Sequence, residues 1–206
     1  VDALAVRPDD SFLIGIDKPT ASIAKCSASG CVDTGLIVHL AAGGPFAAAA
    51  PDPIPGIVLA GFSPGGTLYI ASEQTDELYT VDLATGQATS QGRIKVDGEN
   101  RAVDLLGADL AFTACGDLFL WTNCSPTADK PELCGAGEPG GLYKVDLSHS
   151  FPLASWQGQH TTHYFNGLAF RGNGDGHMVG SIFRGFRGAS YTPHFHDLFM
   201  LDPSET

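Results

Sequence analysis

Apolar and polar positions alternate along this chain in short runs, and the runs recur. In LYTVDL, which begins at Leu78, apolar and polar residues alternate with the period of two expected of a strand. Similar runs appear in GTLYIASEQTDELYTVDLATGQAT from Gly66, in GDLFLWTNCS…GGLYKVDLSHS from Gly116 and in GHMVGSIFRG…HDLFMLDPSET from Gly176. A weaker copy, SFLIGIDKPTASIAKCSASGCVDTG, starts at Ser11. An apolar segment ending in a turn precedes each copy: ALAVRPDD, LAGFSPGG, DLAFTACGD and GLAFRGNGDG. Helix formers never assemble into a 3.6-residue pattern. The one Ala-rich piece, Ala47 to Ala50, lies between Pro45 and Pro51, which would break a helix at once.

The repeat has a measurable register. Phe62 follows Val6 by 56 positions and Asp82 follows Cys26 by 56; Phe112 follows Phe62 by 50 and Phe170 follows Phe112 by 58. These periods sit just above the ~40–50 residues of a four-stranded propeller blade, and the excess lies in insertions. Each unit is predicted to hold strand A (GLAF), strand B (TLYIAS), strand C (ELYTVDL) and strand D (QATSQGRI), with an Asx or Thr-Gly turn between C and D. The fold class is therefore all-β, a β-propeller of four-stranded antiparallel blades in units of about 1–44, 54–97, 101–160 and 163–206. A β-sandwich also has many short strands, but the matched offsets disfavour it. The last unit stops at LDPSET, where strand C ends, without an outer strand. The expectation is a partial propeller, belonging to a longer ring or completed by another chain.

The units resemble secreted bacterial propellers of the NHL/YVTN/PQQ-like kind, whose blades read GLAF…G.LY…..LY.VD..TG. The resemblance covers nearly the whole chain and implies architecture only, because such propellers host hydrolases, lyases, electron-transfer enzymes and binding modules.

Composition narrows the function. Among 206 residues there are 26 Gly and 13 Pro, which suits many short strands and tight turns. The formal charge is −12 with no Lys/Arg cluster, so nucleic acid is not an expected partner. No apolar run reaches about 18 residues, so no membrane span is expected. The chain opens on Val1 without a signal-peptide pattern, which reads as a mature chain or a fragment.

Cysteine spacing points to an oxidising compartment. Cys26 and Cys31 flank the C–D turn SASG, which sets them opposite each other within disulfide reach. Cys124 and Cys134 bracket an insertion and are expected to staple it. Cys115 and Cys124 lie on either side of strand B, too far apart to pair. Cys115 is left as a buried free thiol or the partner of a cysteine elsewhere. Zinc is the rival reading, but no CxxC pair occurs. No CxxCH occurs either, so no haem attachment is expected. Disulfides imply a secreted or periplasmic location.

Loop lengths point to one face. The A–B and C–D turns are short: RPDD, SPGG, TACGD, RGNGDG, SASG, ATG and SHS. The B–C and D–A connections include the long segments 41–56, 124–140 and 184–196. Long loops on a rigid scaffold carry binding sites more often than tight turns do. Five of seven histidines fall between 160 and 196. His160 and His163 enter unit four; His194 and His196 sit in its B–C loop. Imidazoles converging there could hold a divalent or transition metal such as Zn, Cu or Fe, the alternative being exposed loop histidines. His177 lies in an A–B turn on the other face. Phe183, Arg184, Phe186, Arg187 and Tyr191 form a basic-aromatic loop suited to a protein or glycan partner.

Three carboxylate sets remain. Asp82, Asp146 and Asp202 recur at one repeat position and read as turn-builders, with calcium the alternative. NGDG at Asn173 lacks the spacing of an EF-hand. Glu99, Asn100, Asp104 and Asn166 fall near strand A entrances, where lactonase-type propellers hold a divalent ion, but no family motif is matched. Neither GxSxG nor another nucleophile motif appears. The leading expectation is a secreted binding or scaffold propeller that uses its long-loop face, interacting with a protein or glycan or serving as a subunit of a larger extracellular assembly. The alternative is a metal-dependent propeller enzyme, a lactonase-like hydrolase or an oxidoreductase, with its ion on that face.

Overall fold

The computed structural model describes residues 3–7, 13–16, 20–27, 29–41, 53–99, 102–105, 107–122, 141–158, 165–170, 178–182 and 197–201. Every regular element among them is a β-strand. The first sheet runs β1 (Ala3–Val6), β2 (Leu13–Ile16), β3 (Ser22–Ser27), β4 (Gly30–Ile37), each strand antiparallel to its neighbour. After it come β5 (His39–Leu40) and the second sheet, β6 (Ile57–Phe62), β7 (Leu68–Ser72), β8 (Glu77–Val81) and β9 (Gln87–Arg93). Next are β10 (Lys95–Val96) and the third sheet, β11 (Asp109–Phe112), β12 (Leu118–Thr122), β13 (Gly141–Asp146) and β14 (Leu153–Gly158). The fourth sheet contributes β15 (Phe165–Phe170), β16 (Met178–Ile182) and β17 (Asp197–Leu201). These are the A, B, C and D strands expected of propeller blades. The four sheets stack in chain order through their first strands, β1 on β6, β6 on β11 and β11 on β15.

Strand pairing settles the repeat register. Phe62 pairs with Leu68, and Leu68 in turn with Val81 and Val81 with Ala88. The same rung in the third blade is Phe112, Leu118, Val145 and Ala154. In the first blade it is Val6, Leu13, Cys26 and Cys31. The A-strand matches of Val6, Phe62 and Phe112 therefore hold. Cys26, however, falls on the Val81 rung rather than on that of Asp82. The first blade reaches its C strand one residue later than the second, because its A–B turn is one residue longer, which a constant offset hides.

Each middle blade is buried on both faces because a sheet stacks on each side. Phe62, Leu68, Val81, Ala88, Ile70 and Tyr79 pack against Ala3, Ala5, Ile14, Ile16 and Ile23 of the first blade. On its other face the second blade offers Leu59, Ala71 and Leu78 to Leu110, Leu118, Leu120, Tyr143, Val145 and Ala154 of the third. Gly61 lets the sheets approach here, since a Cβ would lie 2.4 Å from Leu110 Cδ1. Tyr69 and Phe112 meet across the same seam, ring centroids 5.0 Å apart at 48°. Burying one such aliphatic side chain stabilises by ~1.5–3 kcal/mol, so these two seams hold the structure.

The sequence repeat does not reveal β5 and β10. On leaving a blade the chain adds two residues, in parallel, to the outer edge of the next: β5 on β9 and β10 on β14. His39 N–H donates to Gly86 O at 3.1 Å and Ala41 N–H to Ala88 O at 2.8 Å; Lys95 N–H donates to Pro152 O at 2.9 Å. A parallel pairing makes β4, which runs into β5, point the same way as β9. The first three blades thus share one orientation, and their A–B and C–D turns share one side.

Gly86 is where this crossing is tightest. Its φ is +77°, and a Cβ would lie 2.5 Å from the Ile37 carbonyl oxygen. Backbone cannot retreat as a flexible side chain can. Gly86→Asn is expected to cost about 2–3 kcal/mol although Asn tolerates this φ, lowering Tm by about 5–10 °C. Gly66 has φ +83° but open space around its Cβ position, so Gly66→Asn should change stability by under about 1 kcal/mol. Chemical denaturation of both variants checks this; equal effects would refute the carbonyl contact as the cause.

Candidate functional site

Antiparallel order puts the A–B and C–D turns at one end of each blade and the B–C and D–A connections at the other. The first end is built from self-satisfying turns. Ala84 N–H donates to Asp82 Oδ1 at 2.8 Å, and Thr85 Oγ1–H to Asp82 Oδ2 at 3.0 Å. Ser148 N–H donates to Asp146 Oδ1 at 2.8 Å, and His149 Nε2 lies 3.3 Å from Asp146 Oδ2. The Ser148 backbone bond holds the Asp146 carboxyl below the usual carboxylate range. Asp82 and Asp146 are thus turn-builders; Asp202 lies outside the described residues. The A–B turns follow one plan too, with Ser63 N–H donating to Thr67 O and Thr113 N–H to Asp117 O.

Cys115 sits in the second of those turns, exposed and unbonded, not buried as one expectation had it. The position matches Gly65 of the second blade. Cys26 and Cys31 are joined, their Cα atoms 3.9 Å apart on facing positions of β3 and β4. Cys124 and Cys134 lie outside the described residues.

The other end is tied together by side chains. Ser72 and Thr122 close strand B of the second and third blades, and both are buried. Ser72 Oγ–H donates to Pro55 O at 2.6 Å and Thr122 Oγ1–H to Asp104 O at 2.7 Å. Each hydroxyl fastens the incoming D–A connection of its own blade. Ser72 Oγ also accepts from the N–H groups of Gln74 and Thr75, at 3.2 Å each, shaping the B–C turn. Asp76, at φ +55°, accepts from Leu105 N–H at 3.4 Å, linking that turn to the next D–A connection. The sequence signal for this lock was a Ser or Thr ending LYIAS and LFLWT, which the repeat alignment passed over.

A polar network lies just outside. Buried Tyr79 donates its hydroxyl to Glu77 Oε2 at 2.8 Å, and its oxygen lies 3.0 Å from Thr75 Oγ1. Ser90 Oγ–H reaches the same carboxylate oxygen at 3.2 Å. Burial pushes the Tyr79 hydroxyl well above its ordinary pKa, with Glu77 adding to the effect. These groups fasten strands C and D; they do not line an open site.

The candidates for chemistry are placed as follows. Asp104 is half-buried with its carbonyl engaged by Thr122, and Glu99 is exposed, its N–H donating to Val96 O at 3.1 Å. Asn166 belongs to β15, and Asn100 lies outside the described residues. No three His, Cys, Asp or Glu side chains gather for a metal ion among the described residues. His160, His163, His194 and His196 lie outside them, as do Phe183, Arg184, Phe186, Arg187 and Tyr191, the NGDG segment from Asn173 and His177. The first pair falls between β14 and β15, the second pair and the basic-aromatic residues between β16 and β17. No helix is long and apolar enough to cross a membrane, among the described residues.

Solved structures that share this architecture include the following two. A gluconolactonase from Xanthomonas campestris is 16% identical with TM-score 0.55, over 97% of this chain and 57% of that one. Virginiamycin B lyase from Staphylococcus aureus is 13% identical with TM-score 0.50, over 87% of this chain and 47% of that one. The chain thus spans about half the length of these neighbours. No family model matches the sequence, and no curated protein does. The likeness is one of fold, and the fold is that of a β-propeller.

Two expectations follow. Thr122→Val keeps the shape but leaves Asp104 O without its donor, so a loss of about 1–2 kcal/mol is expected in urea denaturation, with Ser72→Ala similar. For Tyr79, the folded state holds its proton more tightly than the unfolded chain, whose hydroxyl titrates near 10.0. Stability is then unaffected below that value and falls as pH rises past it. Denaturation between pH 9 and 11 should show a shallower alkaline loss for Tyr79→Phe than for the native chain; parallel curves would exclude Tyr79 as the source.

Proposed function

We propose that this chain is a secreted or periplasmic β-propeller module that binds a protein or glycan through the side carrying its B–C and D–A connections. The supporting observation is the asymmetry between the two ends of the blades. One end is closed by turns whose polar groups are satisfied within the turn. From the other leave connections 41–56, 123–140 and 183–196, and the described parts of that end are fastened by Ser72, Thr122 and Asp76. A rigid rim presenting long segments is the arrangement that recognition on propellers and other scaffolds uses. The asymmetry is not uniform, since the B–C turn of the second blade is only 73–76. That directs the reading to the third and fourth blades, where the basic-aromatic residues and the histidines occur. The Cys26–Cys31 disulfide agrees with an oxidising compartment.

A second reading is a metal-dependent enzyme with His160, His163, His194 and His196 as ligands. The two connections that carry them leave the same end of the fourth sheet, and one neighbour in fold is a gluconolactonase. The purified protein, screened against glycans and envelope proteins and assayed for bound metal, separates the two. The binding reading expects a ligand lost on Phe186→Ala with Arg187→Ala, and no stoichiometric metal. One equivalent of tightly bound zinc, copper or iron, lost on His194→Ala with His196→Ala, would replace it with the enzyme.

A further inference from the structure

Among the described residues, the first blade lacks two things that the second and third have. The first is a cover for one face. Rung for rung, Leu4 corresponds to Ala60 and Leu110, and Val6 to Phe62 and Phe112. Ala60, Phe62 and Leu110 are at most 7% exposed and Phe112 is half-buried, because the preceding blade lies on them. Leu4 and Val6 are 55% and 54% exposed. On the same face, Ile37 is 49% exposed; Gly15, Ala24 and the Cys26–Cys31 pair share it, and its one charge among the described residues is Asp33. A face so apolar in a protein of charge −12 is built to be covered.

The second missing item is an edge strand. β9 and β14 are each capped by two residues from the exit of the preceding blade. β4 ends its sheet with no strand beyond it among the described residues, and it is exposed along nearly its whole length.

One occupant supplies both. In each observed case the cap belongs to the segment that leads directly into strand A of the blade it caps. His39 precedes Ile57 by 18 positions and Lys95 precedes Asp109 by 14. Applied to β1, this spacing places the cap of β4 upstream of Val1 in the same polypeptide. We infer that the uncovered face of the first sheet and the outer edge of β4 seat one further propeller blade, which precedes β1 in the natural chain. This does not depend on the ligand proposed above. Its face differs from the ones seen here. Gly15 and Ala24 stand where later blades carry Ile70 or Leu120 and Tyr79 or Tyr143, so the occupant brings bulkier side chains to those two rungs.

The natural chain, expressed from upstream of Val1, tests this against the 206-residue chain. The coding sequence should hold another repeat, with an extended pair of residues about 14–18 positions before Ala3. Hydrogen exchange should slow at least tenfold for amides of β4 in the longer chain. Leu4→Lys and Val6→Lys should leave the Tm of the 206-residue chain within about 2 °C and lower that of the longer chain by more than 5 °C. Equal exchange, or equal effects of the two substitutions, would overturn the proposal. So would a coding sequence with no repeat before Val1. A 206-residue chain that dimerises and is made monomeric by Leu4→Lys would also overturn it, by placing a second copy on the face.

Discussion

A β-sheet with apolar residues on both faces has to be covered twice, and this requirement organises the whole molecule. Leu59, Ala71 and Leu78 face one neighbour while Ile70, Tyr79 and Val81 face the other, within a single four-stranded unit. A lone blade of this composition would expose one of those rows to water, at ~25 cal/mol for every Å² left uncovered. The units therefore depend on one another, as in other repeat architectures, with stability residing largely in the seams. Glycine is used where the seams close most tightly: Gly61 against Leu110, and Gly86 beneath the carbonyl of Ile37.

Edge control follows from the same geometry. The outer strand of a blade presents a row of backbone N–H and C=O groups to solvent, which invites pairing with other chains. The exit segments answer this by lying along the next outer strand before descending to strand A. The first and second blades are then each linked to their successor twice, through the apolar seam and through backbone hydrogen bonds at the rim. Ser72 and Thr122 add a third tie, from the end of strand B to the segment that has just descended. Side chains thus also tie the end of the blades from which long connections leave.

The sequence carried the strands well, because their period of two and their turn residues are local signals. LYIAS, ELYTV and LFLWT appear as strands β7, β8 and β12 within the bounds their patterns suggested. The Cys26–Cys31 pair was legible for the same reason, since a short C–D turn fixes which residues face each other. The caps β5 and β10 were not legible: two residues carry no periodicity, and HL and KV become strands only because a neighbouring blade offers an edge. The Asp82–Cys26 match failed where the A–B turn of the first blade is one residue longer, a difference that a fixed offset absorbs silently. The buried alternative for Cys115 fails because burial of a lone thiol is a matter of turn placement, which composition does not encode. Of the candidate site, Glu99 and Asp104 are separately engaged, while the histidines and the basic-aromatic residues fall outside the described residues.

The rung occupied by Cys26 and Cys31 shows how local and tertiary constraints substitute for one another. In the second blade that rung is Val81 and Ala88, and in the third Val145 and Ala154, all buried beneath a preceding blade. In the first blade the pair is covalent, Cys26 remains only 5% exposed, and the adjoining edge has no cap among the described residues. A bond across a loop this short removes little chain entropy. It joins the two strands of the outer hairpin on the side where, among the described residues, neither a preceding blade nor an exit strand adds to the pairing. The disulfide therefore stands at the position of the repeat where packing from a neighbour contributes least, and its place there is explained by the geometry of the stack rather than by the hairpin alone.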